Sequence, residues 1–129
     1  MQRQPHALKK YREMEILTSS PAKLILILYD ELIKCLNQAK EEISIKDIEK
    51  SHNLLVKSQG IIRELMCSLN LKAGEIAVNL YRIYEYMHYR LVQANLEKNI
   101  QMVEEVISLI KPLREAWIRA MEEVNEGYN

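Results

Sequence analysis

From residue 20 onward, apolar positions recur at the helical period of about 3.6 residues, broken at only a few places. The breaks fall at "SIKD" (residues 44–47), at "NLKAGE" (70–75) and around Asn99. They divide the chain into four amphipathic stretches, and the pattern predicts helices over about 20–43, 47–69, 75–96 and 99–124. One face of the first carries Ile25, Leu28, Leu32, Leu36, Ala39 and Ile43. The second stripe is Ile48, Leu55, Ile62, Met66 and Leu69; the third is Ile76, Leu80, Ile83, Met87, Leu91 and Ala94. The fourth is Val103, Val106, Ile110, Leu113, Trp117, Met121 and Val124. Ser20 followed by Pro21 reads as an N-cap and first helical residue, and Asn99 as a cap for the fourth helix. Pro112 removes one backbone hydrogen bond and should bend that helix, but the stripe keeps phase across it and places it toward solvent.

Four helices of similar length joined by short loops must lie antiparallel to their neighbours. The expected fold is all-α, an up-down-up-down four-helix bundle forming a single domain over residues 1–129. Residues 1–19 precede it and include Tyr11, Met14, Ile16 and Leu17. That is too apolar for an idle tail, so the segment is expected to pack on the bundle surface.

Two helices carry more apolar surface than a bundle core can use. "LILILY", Leu24 to Tyr29, is a run of six apolar residues, and a core-facing stripe takes only part of a helix circumference. Ile27 points nearly opposite that stripe, with Leu24 and Leu26 on its flanks. The third helix has a second line of Val78, Tyr81, Tyr89 and Val92 on its back, interrupted by Glu85, with Tyr86 to one side. Exposed apolar patches mark interaction sites, and tyrosine suits them, having an apolar body and a hydroxyl that tolerates water. Two readings account for the surplus: residues 1–19 fold over it, or it is a groove for a partner segment, and the two can alternate. The candidate contacts are Tyr11, Leu24, Leu26, Ile27, Tyr29, Tyr81, Tyr86 and Tyr89.

Composition narrows the function classes. Of 129 residues 48% are apolar, and 18 Lys and Arg balance 18 Asp and Glu. Zero net charge argues against bulk attraction to nucleic acid or anionic membrane. No run approaches the ~20 apolar residues of a bilayer span, and the opening "MQRQPHALKK" lacks a signal core. Two cysteines, Cys35 and Cys67, lack metal-ligand spacing and read as reduced, partly buried thiols. Together these point to a cytoplasmic protein that neither inserts into membrane nor binds nucleic acid.

Chemistry has one candidate. Glu49-Lys-Ser-His52 and Glu85-Tyr-Met-His88 share the Glu-x-x-His spacing of di-iron bundles and lie at similar heights. Both glutamates project far from their core stripes, however, and helices one and four supply no bridging carboxylate at core positions. There is no glycine-rich phosphate loop and no nucleophile motif; His6, His52 and His88 read as surface or rim residues. The chain is expected to be a binding protein without metal, cofactor or enzymatic activity. A generic adaptor bundle that dimerises through the same surface is the alternative within that class.

Three segments resemble a known family. "Tyr11…Leu17-Thr18-Ser19-Ser20-Pro21-Ala22-Lys23-Leu24-Ile25…Leu28-Tyr29-Asp30" is similar to the opening of FliS, the flagellin-specific export chaperone. "LYRIYEYMHYRLVQAN" (80–95) resembles that family's third-helix motif, and "EEVISLIKPLREAW" (104–117) its fourth. Matching positions are Tyr11, Thr18, Ser20, Pro21, Leu28, Tyr29 and Asp30, then Tyr84, Tyr86, Arg90, Leu91, Ala94 and Asn95, then Ala116 and Trp117. Leu8 stands where a second tyrosine is common, and Glu31 where glycine is common. The resemblance implies a bacterial cytosolic chaperone that binds the disordered C-terminal segment of flagellin. It further implies that the chaperone blocks premature polymerisation and delivers its client to a component of the flagellar export gate. It also implies a client wrapped as short helices in grooves that the N-terminal segment can partly cover.

Overall fold

The computed structural model describes residues 17–127, with side chains through residue 123; Tyr11, His6, the rest of 1–16 and the Val124 side chain lie outside. Four helices follow one another: α1 (Ala22–Ser44), α2 (Ile48–Ser68), α3 (Glu75–Glu97) and α4 (Ile100–Gly127), with a 3₁₀ turn at Leu71–Ala73 between α2 and α3. α1 and α3 each pack against both α2 and α4, which leaves α1 and α3 on a diagonal.

Cross-helix contacts run in opposite numerical order, as antiparallel neighbours require. Asp30 pairs with Arg114 while Lys40 pairs with Glu104 at 3.5 Å, joining α1 to α4. Arg63 donates to His88 at 3.1 Å while Asn95 donates to His52 at 3.0 Å, joining α2 to α3. The chain is an all-α antiparallel four-helix bundle.

The core is closed by Leu32, Leu36 and Ala39 of α1, Leu55, Ile62 and Leu65 of α2, Met87, Leu91 and Ala94 of α3, and Val103, Val106 and Ile110 of α4. All of them are fully buried. The stripes fail at two helix starts. Ile48 is 62% exposed and Ile76 65%, because the first is the opening residue of α2 and the second lies one residue into α3, at the ends of the bundle. The buried face of α2 instead includes Ser51, Ser58 and Ser68. Each hydroxyl donates to a carbonyl one turn back in its own helix, at 2.8–2.9 Å, which allows a polar residue in an apolar layer. Cys35 is buried, but Cys67 is exposed.

Helix ends depart from expectation at Ser20. Pro21 itself is the cap residue, with ψ 143°, and its carbonyl accepts from Leu24 and Ile25. Ser20 is drawn away, its N–H donating to Thr18 Oγ1 at 3.1 Å. The cause is a clasp formed just upstream. The Ser68 carbonyl, one of the orphan acceptors at the end of α2, receives Ser19 N–H at 2.8 Å, Thr18 Oγ1 at 3.1 Å and Ser19 Oγ at 3.2 Å. Asn70 N–H donates to the Leu17 carbonyl at 2.9 Å. Elsewhere Asp47 and Asn99 cap α2 and α4, accepting from Lys50 and Met102. α4 continues past Pro112, which is exposed.

Thr18→Val keeps the buried branched shape but deletes the hydroxyl that serves two bonds of the clasp. We expect a loss of about 1 kcal/mol, measured by urea denaturation; an unchanged midpoint would mean the Thr18 hydroxyl adds nothing to the folded state.

Candidate partner-binding surfaces

The phase of α1 is set by Ile25, Tyr29, Leu32 and Leu36, all buried. That phase turns Leu24 and Ile27 outward, 42% and 54% exposed, with Leu26 half-buried beside them. The patch ends at the next turn, where Asp30 is tied to Arg114 of α4 and Glu31 to Lys57 of α2 at 2.9 Å. Lys57 holds the Glu31 carboxyl below its usual range by hydrogen bond and charge. An apolar centre with a charged edge is the anatomy of a recognition surface.

Tyr29 is not part of that surface. It is buried, its hydroxyl 2.6 Å from that of Tyr84 across the diagonal, its ring edge-on to Trp117 at 6.4 Å. Burial pushes the pKa of both phenols above the usual tyrosine range, so they ionise less readily. Alternation along "LILILY" could not separate the two roles, because tyrosine fits a rim and a core equally well when its hydroxyl finds a partner. Here the partner is another tyrosine 55 residues away. The space enclosed by the clasp, Tyr29, Tyr84 and Trp117 is only ≈ 10 Å³, at most the room of one water.

On α3, Tyr86 and Tyr89 are 45% and 57% exposed, and Tyr81, Val78 and Val92 are half-buried. Tyr86 and Tyr89, the most exposed tyrosines among the described residues, are bound into a polar chain that sequence reading missed. Tyr86 OH donates to Glu105 Oε1 of α4, and Arg90 Nη2 donates to Glu105 Oε2 at 3.1 Å. Arg90 Nη1 donates to Gln93 Oε1 at 3.0 Å, and Gln93 Nε2 donates to Tyr89 OH at 3.0 Å. The hydrogen bond to Glu105 raises the Tyr86 phenol above its usual range and lowers the carboxyl.

The candidate contacts therefore divide into two surfaces. Leu24, Leu26 and Ile27 lie on α1, and Tyr81, Tyr86 and Tyr89 on the diagonally opposite α3. No single groove contains both. The Glu-x-x-His pairs do not converge either: Glu49, His52 and Glu85 are exposed, while His88 is engaged by Arg63. Among the described residues no three His, Cys, Asp or Glu side chains are grouped to hold a metal ion, and no helix is long and apolar enough to cross a membrane.

Comparison with known proteins agrees with this architecture. Residues 4–124 match the family model described as flagellar protein FliS. The chain is 34% identical over 112 residues to the flagellar secretion chaperone FliS of Bacillus subtilis (strain 168), covering 87% of this chain and 84% of that one. It is 37% identical over 107 residues to the flagellar secretion chaperone FliS of Salmonella typhimurium, covering 81% and 79%. A crystal structure of a bacterial flagellar chaperone superposes with a TM-score of 0.75 at 20% identity, over 90% of this chain and 95% of that one; it supports the fold.

Proposed function

The chain belongs to the FliS family of flagellar secretion chaperones, a chaperone and not an enzyme, and we propose that its client is the C-terminal segment of flagellin. In this reading the segment is disordered when free, and the chaperone buries its assembly-prone apolar faces in the bacterial cytosol. It thereby prevents premature polymerisation and presents the client to a component of the export apparatus. The observation that carries the reading is the pair of apolar surfaces on diagonal helices, Leu24 with Ile27 on α1 and Tyr86 with Tyr89 on α3. A compact globular partner reaches one side of a bundle. A flexible chain can wrap both, folding into short helices as its apolar faces dock.

The physics of such a complex is a large apolar burial offset by the cost of ordering the client, about 2–5 kcal/mol or more of the gross interaction. Calorimetric titration with the C-terminal segment of flagellin tests it. We expect one-to-one binding with a large negative heat-capacity change, the mark of apolar burial coupled to folding. Absence of binding at high micromolar concentration would exclude flagellin's C-terminus as the client.

A further inference from the structure

The two exposed tyrosines of α3 are joined by a single hydrogen-bonded chain, and its chemistry fixes more than their positions. Glu105 uses both carboxylate oxygens, one for Tyr86 and one for Arg90. Arg90 is a planar fork of donors with no acceptor. Glu105 holds it at one terminal nitrogen and Gln93 at the other, so rotating its plane would break these two bonds. Because arginine can only donate, the amide oxygen of Gln93 must face it, and the Gln93 NH₂ is thereby turned toward Tyr89. The Tyr86 proton is committed to Glu105, which leaves that phenol oxygen as an acceptor. Tyr89 accepts from Gln93, which leaves its own proton free to donate.

We propose that Glu105, Arg90 and Gln93 are positioning residues: they brace the rings of Tyr86 and Tyr89 in their outward positions and assign the two hydroxyls opposite roles toward the client. Binding on α3 then proceeds without ordering two exposed side chains at the moment of contact. Immobilising a free side chain is a recurrent cost of association, and the brace has met it before the client arrives. The inference rests on the proposed binding of the flagellin segment at this surface, but the brace itself can be tested without client.

Glu105 is the residue to remove, since it alone ties the chain to α4 and its side chain is 34% exposed. In the free protein, titration of tyrosine followed by NMR should show the Tyr86 phenol ionising above an ordinary tyrosine, and Glu105→Ala should return it toward the ordinary range. In complex formation, Glu105→Ala and Tyr86→Phe should each weaken binding of the flagellin C-terminal segment roughly three- to ten-fold, the range expected from freeing one or two side chains. The double variant should bind more weakly than Glu105→Ala alone by less than the full Tyr86→Phe loss, because the two substitutions remove one shared bond. Glu105→Gln keeps one acceptor oxygen but turns an NH₂ toward the other donor, so its affinity should fall between those of the wild type and Glu105→Ala. An ordinary Tyr86 titration in the wild-type protein overturns the brace. So do strictly additive losses, or an unchanged affinity in Glu105→Ala despite a shifted phenol. If the wild-type protein does not bind the flagellin segment, the functional reading fails while the titration still decides whether the brace exists.

Discussion

Trp117→Ala is expected to lower the unfolding free energy by about 3 kcal/mol. Trp117 sits in the C-terminal half of α4, and its indole N–H donates to the Ala22 carbonyl at 2.7 Å in the first turn of α1. The same ring meets Tyr29 edge-on, at 87° between planes. One side chain therefore joins α1 and α4 at the end of the bundle where the Thr18 clasp also closes. Edge-to-face aromatic pairs contribute about 0.5–1.5 kcal/mol beyond the area they bury, and the hydrogen bond about 1 kcal/mol. Trp117→Phe keeps the ring contact and loses the donor, so about 1 kcal/mol should go with it. The chain has one tryptophan, so unfolding must be followed by far-UV circular dichroism in urea rather than by fluorescence. A loss below about 1 kcal/mol for the alanine variant, no more than the hydrogen bond alone supplies, would mean that this end of the bundle relaxes around the gap.

Which residues made the fold legible is a matter of period. Leu32, Leu36, Met87, Leu91, Val106 and Ile110 are apolar, repeat with the helix and are fully buried. Ile48 and Ile76 repeat equally well, yet periodicity contains no information about where a neighbouring helix stops. Ser51, Ser58 and Ser68 are buried without being apolar, because an intrahelical acceptor satisfies each hydroxyl; a hydropathy pattern reads them as breaks in the face. The loops show a similar limit. Lys46 and Lys98 hold positive φ, 61° and 51°, at helix ends where glycine or asparagine would have announced the turn.

The surfaces were partly legible for the same reason. Leu24 and Ile27 are outward because their phase opposes a strongly apolar stripe, and phase is visible in one dimension. Tyr29 was not separable from them, since its assignment depends on Tyr84. The brace on α3 was wholly hidden: Glu105 reaches Tyr86 from another helix, 19 residues along the chain. A glutamate on a helix flank has no sequence mark distinguishing it from a solvated charge. Pairings across the bundle need the fold first.

The second large effect is on binding. Ile27→Asp is expected to weaken the complex with the flagellin C-terminal segment at least ten-fold while changing the protein's own stability by no more than about 0.5 kcal/mol. The two halves of that expectation have separate causes. Ile27 is 54% exposed, so the folded protein alone loses little when it becomes polar. Its helical neighbours Asp30 and Glu31 are already paired with Arg114 and Lys57, which limits the repulsion a new carboxylate would meet. In the complex, the same carboxylate must be desolvated against an apolar client with no donor supplied for it, a cost of several kcal/mol for a charge left unpaired. Ile27→Ala, which removes contact without adding charge, should cost about 1–2 kcal/mol of binding. Ile48→Asp is the matched control: Ile48 is as exposed as Ile27 but sits at the α1–α2 turn, at the opposite end of α1 from the patch. It should leave affinity unchanged. Equal losses at both positions would point to general hydrophobic adhesion, and an unchanged affinity for Ile27→Asp would remove the α1 patch from the client's path, leaving α3 as the candidate surface.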